Sequence, residues 1–527
     1  MKLFRAFNTI RYLRAKQIFY QVYYRLKKVQ ALNAYKALPG AFNTHQLHFS
    51  NFLPVEKSAD SNGAFTFLNQ QVTFGANVDW SYAANGRLWN YHLQYANYLL
   101  QDDIPLNRRL ALLKEIHSWL ADGRLLLEPY PVSLRAINVL RLLCKESLDD
   151  KNIVEPLYRE LDFLSERLEY HLLGNHLLEN GFALLMGGAF FGNERWLNKG
   201  HKIVYDELNE QILTDGGHFE LSPMYHQIIL YRVLELIDWY SHYHGQRDQF
   251  LPFIVDRATL MLGWLKNITF NNDEVPVFND CAPGVAYTTE QLSQYARTLK
   301  IPAPALGIQL GVSGYRMFRR RDYECAVDVA AIGPDYQPGH SHADALSFTL
   351  YYKNSPLFVE AGTSTYTLGR VRDYERSTIA HNTVAIDLHN SSHVWGGFRV
   401  ADRAITRILT DTADELIAQH DGYKKKFQLI HKRSYKFESL KLLIKDELEG
   451  AIHGQVAAYF HLAPGIEYVL NGKQLSMPGI GNLLFIGAET VKIDSYFHAE
   501  GYNITSEATV IVVYFKKELQ TVMEFYN

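Results

Sequence analysis

Near residue 304 the hydrophobic period of this chain changes from about 3.6 to 2, and no other feature limits the fold as much. From about Trp89 to Lys300, apolar residues recur three and four apart. Leu110–Leu120, Ser133–Leu143, Val154–Leu172, His176–Phe191 and Met224–Tyr243 are predicted helices. Short breaks such as Glu128-Pro129-Tyr130-Pro131 and Asp215-Gly216-Gly217 separate them. No fixed repeat period runs through the segment, so a solenoid is not indicated. Helices joined by short turns predict pairs stacked around a centre. From about Gly307 alternation takes over, and Tyr323–Ala331, Leu346–Tyr352, Ser439–Lys445, Gln455–His461 and Thr509–Phe515 read as strands. The expected architecture is therefore α+β and multidomain, an incomplete α/α barrel or toroid followed by an antiparallel β-sandwich. Expected bounds are 1–55 for a basic amphipathic segment, 56–303 for the toroid and 304–527 for the sandwich. The interface of the two large domains is the expected place for a catalytic cleft, because such clefts often form between domains.

Bulk properties remove several classes. No run of about 18 apolar residues occurs, so a spanning helix is excluded. The net charge of −3 argues against a nucleic-acid partner. Three separated cysteines, Cys144, Cys281 and Cys325, do not make a disulfide framework. No phosphate-cradling glycine loop follows a strand, and no nucleophile elbow is present. Aromatic residues reach 13%, and such rings suit either a large core or stacking against sugars.

Charge is uneven. Nine Lys and Arg and no acid precede Glu56, which leaves −12 on the rest of the chain. Leu3, Phe7, Ile10, Leu13 and Ile18 recur between them at near-helical spacing. A helix docked on an acidic body is the favoured expectation; contact with a membrane surface is the alternative. The segment lacks the uncharged run and small-residue cleavage site of a secretory signal, so the expected location is the cytoplasm. Nothing in the sequence fixes an oligomeric state.

Four clusters carry candidate chemistry. Gly174-Asn175-His176 opens a helix, where an amide and an imidazole meet the positive end of the helix dipole and favour a carboxylate. Asp215-Gly216-Gly217-His218-Phe219-Glu220-Leu221-Ser222-Pro223-Met224-Tyr225-His226 concentrates polar groups on one loop and helix start. Gly339-His340-Ser341-His342 leads into an apolar strand with both imidazoles on one side of extended chain. Finally, Glu360 and His381 join His342 as two imidazoles and a carboxylate that can bind a divalent metal, with zinc the ion these ligands suit.

Taken in order, these segments resemble the heparinase II/III family of polysaccharide lyases. The Asn-His helix, the Gly-Gly-His-x-Glu-x-Ser-Pro-x-Tyr-His loop, the Gly-His-Ser-His-x-Asp strand entry and the segment Arg376–Val384 carry the likeness. Leu88–Leu93 and Pro129–Arg135 extend it into the helical half. The resemblance implies β-elimination on an anionic uronate polysaccharide, such as heparan sulfate or alginate. It implies that Asn175, helped by His176, neutralises the uronate carboxylate. It also implies that Tyr225 and His340 move protons, with Tyr366 as a second tyrosine. Uronate C5-epimerisation and non-catalytic polysaccharide binding or assembly remain the alternatives. Arg135 and Arg376 are candidate contacts for anionic sugar, with structural ion pairing as the other reading. The metal set carries over as His342, Glu360 and His381, with Glu360 where the family more often has Asp; the ion would organise the site. Secreted members imply the periplasm or cell envelope as the alternative location. The basic first segment looks more like members associated with bacterial surface-polysaccharide assembly.

Overall fold

The computed structural model describes residues 8–39, 47–50, 53–75, 77–245, 247, 249–304 and 311–526. Leu3, Phe7 and the first two basic residues of the amino-terminal segment lie outside this range, as does the stretch just after the expected boundary at 304.

Helices Leu106–Ala121, Pro129–Lys145, Lys151–Glu166, Gly174–Phe191, Glu194–Gln211, Pro223–Tyr240 and Phe250–Ile268 form the toroid. Gly174–Phe191 is buried on nearly every side, whereas its neighbour Glu194–Gln211 buries a stripe of Trp196, Leu197, Val204 and Leu208. An apolar surface all round requires protein on all sides, so the first belongs inside. The two approach closely because Gly200 has no side chain; a Cβ there would stand 2.5 Å from the Leu185 nitrogen. The helix predicted to run to Leu172 stops at Glu166. Arg167 leaves helical geometry there, and the extension beyond it carries Glu169 and Leu172 to the cleft wall. A hairpin of Ala64–Phe67 and Gln70–Thr73, absent from the sequence reading, turns on Leu68 and Asn69 at positive φ. The Asn69 amide donates to the Tyr502 carbonyl at 2.9 Å and ties the hairpin to the second domain.

The second domain pairs a four-stranded sheet (Tyr315–Arg319, Tyr323–Asp328, Phe348–Tyr352, Ser355–Phe358) with a ten-stranded antiparallel sheet. Two strands of the larger sheet, Gly481–Gly501 and Ile504–Phe525, are 21 and 22 residues long. Alternate residues of Ile430–Glu438 and Lys441–Glu449 are buried, as a sheet with one covered face requires. The sheets meet over a common core in which Phe318 stacks on Phe437 at 3.8 Å between ring centres. This is the expected toroid and sandwich.

The amino-terminal helix Ala15–Leu26 lies on the toroid. Arg14 pairs with Glu210, and Lys27 with Glu166 at 2.9 Å. Ahead of it, Asn8 donates to Asp402 at 3.2 Å, Trp395 donates to Thr9 Oγ1 at 3.3 Å, and the Arg403 guanidinium sits 3.8 Å above the Tyr12 ring. For the described residues, docking on acidic groups is the observed arrangement, and the segment bridges both domains.

Candidate active site at the domain interface

A cleft of about 1290 Å³ runs between the domains. Asn175, His176, Tyr225, His340 and Tyr366 all line it, so four segments remote in sequence reach one place.

Tyr225 is fixed by local helix-start chemistry. Ser222 precedes Pro223, and its hydroxyl oxygen accepts from the Tyr225 N–H at 3.4 Å as an N-cap. The same hydroxyl donates to the Asp280 carbonyl at 2.7 Å, which anchors the turn. The Tyr225 ring lies 4.1 Å from the His340 ring, and its hydroxyl is 3.1 Å from that of Tyr366. Burial, with Tyr502 alongside, pushes the Tyr225 pKa well above the ordinary phenol value, so the group holds its proton at neutral pH.

Under the two histidines of the strand entry lies Asp280, fully buried. One oxygen meets His340 Nδ1 at 3.0 Å, and the other meets His342 Nε2 at 2.8 Å. Arg372, also fully buried, grips both oxygens. Burial alone would raise the Asp280 pKa, but Arg372 and the two imidazoles hold it well below the carboxylate range. An ionised Asp280 makes each contacting imidazole nitrogen an N–H donor. The nitrogens left for other partners are then Nε2 of His340 and Nδ1 of His342. Sequence reasoning missed Asp280 and Arg372; neither stands in a recognisable motif.

At the helix start, Gly174 has φ +58, a conformation that favours glycine, and a Cβ there would displace the Gln337 side-chain oxygen, 2.0 Å away. Asn175 is 4% exposed, and its Oδ1 has no partner among the described residues. The His176 ring lies 4.3 Å from that of Tyr130, tilted by 37°, and pairs through Nδ1 with Glu169 at 3.1 Å. Burial alone would lower the His176 pKa; the Glu169 charge outweighs it and raises the value. Glu220, buried beside this helix start, lies 3.8 Å from His340 Nε2, and burial raises its pKa.

The two arginine candidates are corrected. Arg135 is fully buried, donates to Glu160 at 2.8 Å and to the Gln94 carbonyl at 2.9 Å, and does not line the cleft. Arg376 is 2% exposed and donates to the Ser341 carbonyl at 2.8 Å, so it braces the loop between His340 and His342. The cations on the cleft wall are Arg87, Arg141, Arg232, Arg399 and Arg403.

The metal set is corrected in one member. His342, Asp344 and His381 each bring a ligand atom within 4.8 Å of one another, all buried, and could hold a metal ion. Among the described residues, His342 Nδ1, Asp344 Oδ2 and His381 Nε2 are buried without hydrogen-bond partners, as the donor atoms of a metal site would be. Glu360 instead binds His381 Nδ1 and accepts from Ser347 Oγ at 2.5 Å. Those contacts fix the His381 ring with Nε2 free, so Glu360 supports a ligand rather than serving as one. The residues present therefore fit a divalent cation.

Comparison with known proteins gives the same arrangement a lineage. The family model for the heparinase II/III N-terminus matches residues 148–301, and the model for the heparinase II/III-like C-terminal region matches 302–523. The chain belongs to the heparinase II/III family. A heparin-sulfate lyase of Bacteroides stercoris is 26% identical over 328 residues, 56% of this chain and 47% of that protein. One of Pedobacter heparinus is 26% identical over 266 residues, covering 44% and 38%. This heparinase II/III chain thus spans about half the length or less of these curated relatives. Among solved structures, a heparinase III superposes with a TM-score of 0.66 at 18% identity over 86% of this chain and 80% of that one. A heparan sulfate lyase from Pedobacter heparinus gives 0.60 at 17% identity over 97% and 88%. At such identities the structures speak for the heparinase fold alone.

Proposed function

We propose that the protein is a polysaccharide lyase that cleaves an anionic, uronate-containing polysaccharide of the heparan sulfate or alginate kind by β-elimination. The observation that carries this is the meeting of a protonated phenol, an Asp-oriented imidazole and an amide–imidazole pair in one aromatic-walled cleft. The chemistry demands that set. The C5 proton of a uronate is barely acidic while the neighbouring carboxylate is fully charged. Asn175 and cationic His176 bind that carboxylate and stabilise the charge that builds on it as C5 loses its proton. His340 Nε2 takes the proton, with Nδ1–H held by Asp280. The C5 electron pair forms the C4–C5 double bond as C4–O4 breaks, and Tyr225 gives O4 its proton. Water returns the proton from His340 to Tyr225 between turnovers. The test is ultraviolet absorbance of the unsaturated uronate product across a panel of uronate polymers. Absence of product on every polymer, with deuterium entering C5 from solvent, would assign the site to an epimerase instead.

The pH dependence follows from His176. Its raised pKa keeps it cationic through the ordinary imidazole range near pH 6.5 and lets the charge go as pH rises through the elevated value. KM for an anionic oligosaccharide is expected to rise several-fold between neutral and alkaline pH. Glu169→Gln should move that rise to lower pH. A KM independent of pH in both proteins would remove His176 from carboxylate binding.

His342, Asp344 and His381 are proposed to hold zinc, the ion suited to two imidazoles and one carboxylate. Bound there, the ion would brace the loop that carries His340. Purified protein is expected to contain about one zinc per chain. Chelation should lower the melting temperature by about 5–10 °C, the loss of a ligand held some thousandfold above its dissociation constant. Asp344→Asn should abolish zinc content, while Glu360→Gln should only weaken it.

A further inference from the structure

The amino-terminal helix Ala15–Leu26 faces the wrong way for a helix whose only task is to dock. Its body-facing side is polar. Gln17, 2% exposed, donates to the carbonyls of Leu172 at 3.2 Å and Tyr336 at 3.4 Å, and Tyr24 donates to the Leu168 carbonyl at 2.7 Å. Its apolar side looks outward: Ile18 is 43% exposed, Phe19 62%, Val22 54%, Tyr23 41% and Leu26 78%. At about 100° per residue these five cover an arc of roughly 140°, the stripe a surface helix normally buries. Phe19 and Tyr23 stack on each other one turn apart with ring centres at 6.1 Å, so the stripe is a continuous surface. Arg25 and Lys28 are exposed at its edge and make no ion pair among the described residues.

We propose that this helix face seats the protein on an anionic lipid surface. An outward apolar stripe edged by cations is the arrangement of a helix lying in the membrane interface. Charge complementarity selects the occupant: the first 55 residues contain no acid, so a second copy meeting this helix stripe to stripe would bring cation against cation, whereas an anionic headgroup layer attracts it. Contact is peripheral, since no described helix is long and apolar enough to cross a membrane. The helix also lends Gln17 and Gln21 to the cleft wall, so the seat lies beside one side of the cleft and presents it to polymer held at a membrane. The proposal stands independently of the reaction assigned to the cleft.

The test is sedimentation of the full chain with vesicles of phosphatidylcholine mixed with phosphatidylglycerol, against pure phosphatidylcholine vesicles, at low and high salt. Binding to the anionic vesicles is expected to be at least about tenfold tighter and to weaken with salt. Phe19→Ser combined with Leu26→Ser should cost at least about tenfold in binding, and Arg25→Glu with Lys28→Glu should abolish the preference for anionic lipid. Unchanged melting temperatures for both pairs would show that the fold is intact. Failure of the wild type to sediment with anionic vesicles, or equal binding by the variants, overturns the proposal. So does a concentration-dependent dimer that Phe19→Ser with Leu26→Ser dissolves, without lipid binding.

Discussion

Tyr225→Phe is expected to lower kcat by about 10²–10⁴, the usual contribution of a positioned acid, with KM nearly unchanged. The substitution is clean. Phenylalanine keeps the ring 4.1 Å from His340 and removes only the hydroxyl. That hydroxyl holds its proton at neutral pH, belongs to the motif set and lies in the cleft. Tyr366→Phe serves as the control. It deletes the 3.1 Å hydroxyl partner of Tyr225 without deleting the donor, so a loss of only about tenfold is expected, near the effect of one hydrogen bond. Steady-state rates of unsaturated-uronate release measure both. Equal losses would make the tyrosines one proton-sharing unit, and retained activity in Tyr225→Phe would move the acid elsewhere.

Asp280→Ala is expected to destabilise the fold by about 3–5 kcal/mol and to abolish turnover, because it leaves a fully buried Arg372 without its counter-charge. It also removes the group that makes His340 Nδ1 a donor, so the base loses its orientation. Urea denaturation of the two proteins checks the first effect. The pH course of the difference has a fixed sign. A depressed carboxylate pKa stabilises fully above the unfolded value near 4, and the contribution fades as pH falls through the folded value. The gap between wild type and variant should therefore be constant from about pH 5 to 7 and shrink below about pH 4. A gap that widens on acidification would mean that Asp280 is neutral in the fold. Asp280→Asn keeps the shape and removes the charge, so a kcat loss larger than its stability loss would mark Asp280 as positioning His340 rather than merely filling space.

Sequence and structure divide the credit along a physical line. What local chemistry decides was legible. The 3.6 period specified the helices that build the toroid, and alternation specified strands such as Ile430–Glu438 with one covered face. Glycine and asparagine at the start of Gly174–Phe191, and serine before proline at Pro223–Tyr240, announced two helix starts that each present a side chain to the cleft. Even the pairing of His340 and His342 was visible, since both were expected on one side and both reach Asp280.

What depends on packing between distant segments was not legible. Arg135 and Arg376 read in the sequence either as contacts for anionic sugar or as structural ion pairs, and only the folded chain, in which Glu160 and the Ser341 carbonyl hold them in the interior, decides between the two. Asp344 and Glu360 are both carboxylates near the same strand, and only the folded chain leaves one with a free oxygen while His381 and Ser347 occupy the other. Asp280 and Arg372 are 92 residues apart and carry no local signature; their pairing exists only once the toroid edge meets the sandwich. The amino-terminal helix shows the division within one element. Its apolar stripe and its cations are written in the residue order. Which face turns inward was decided by the carbonyls of Leu168, Leu172 and Tyr336, because burying those acceptors required the donors Gln17 and Tyr24 beside them.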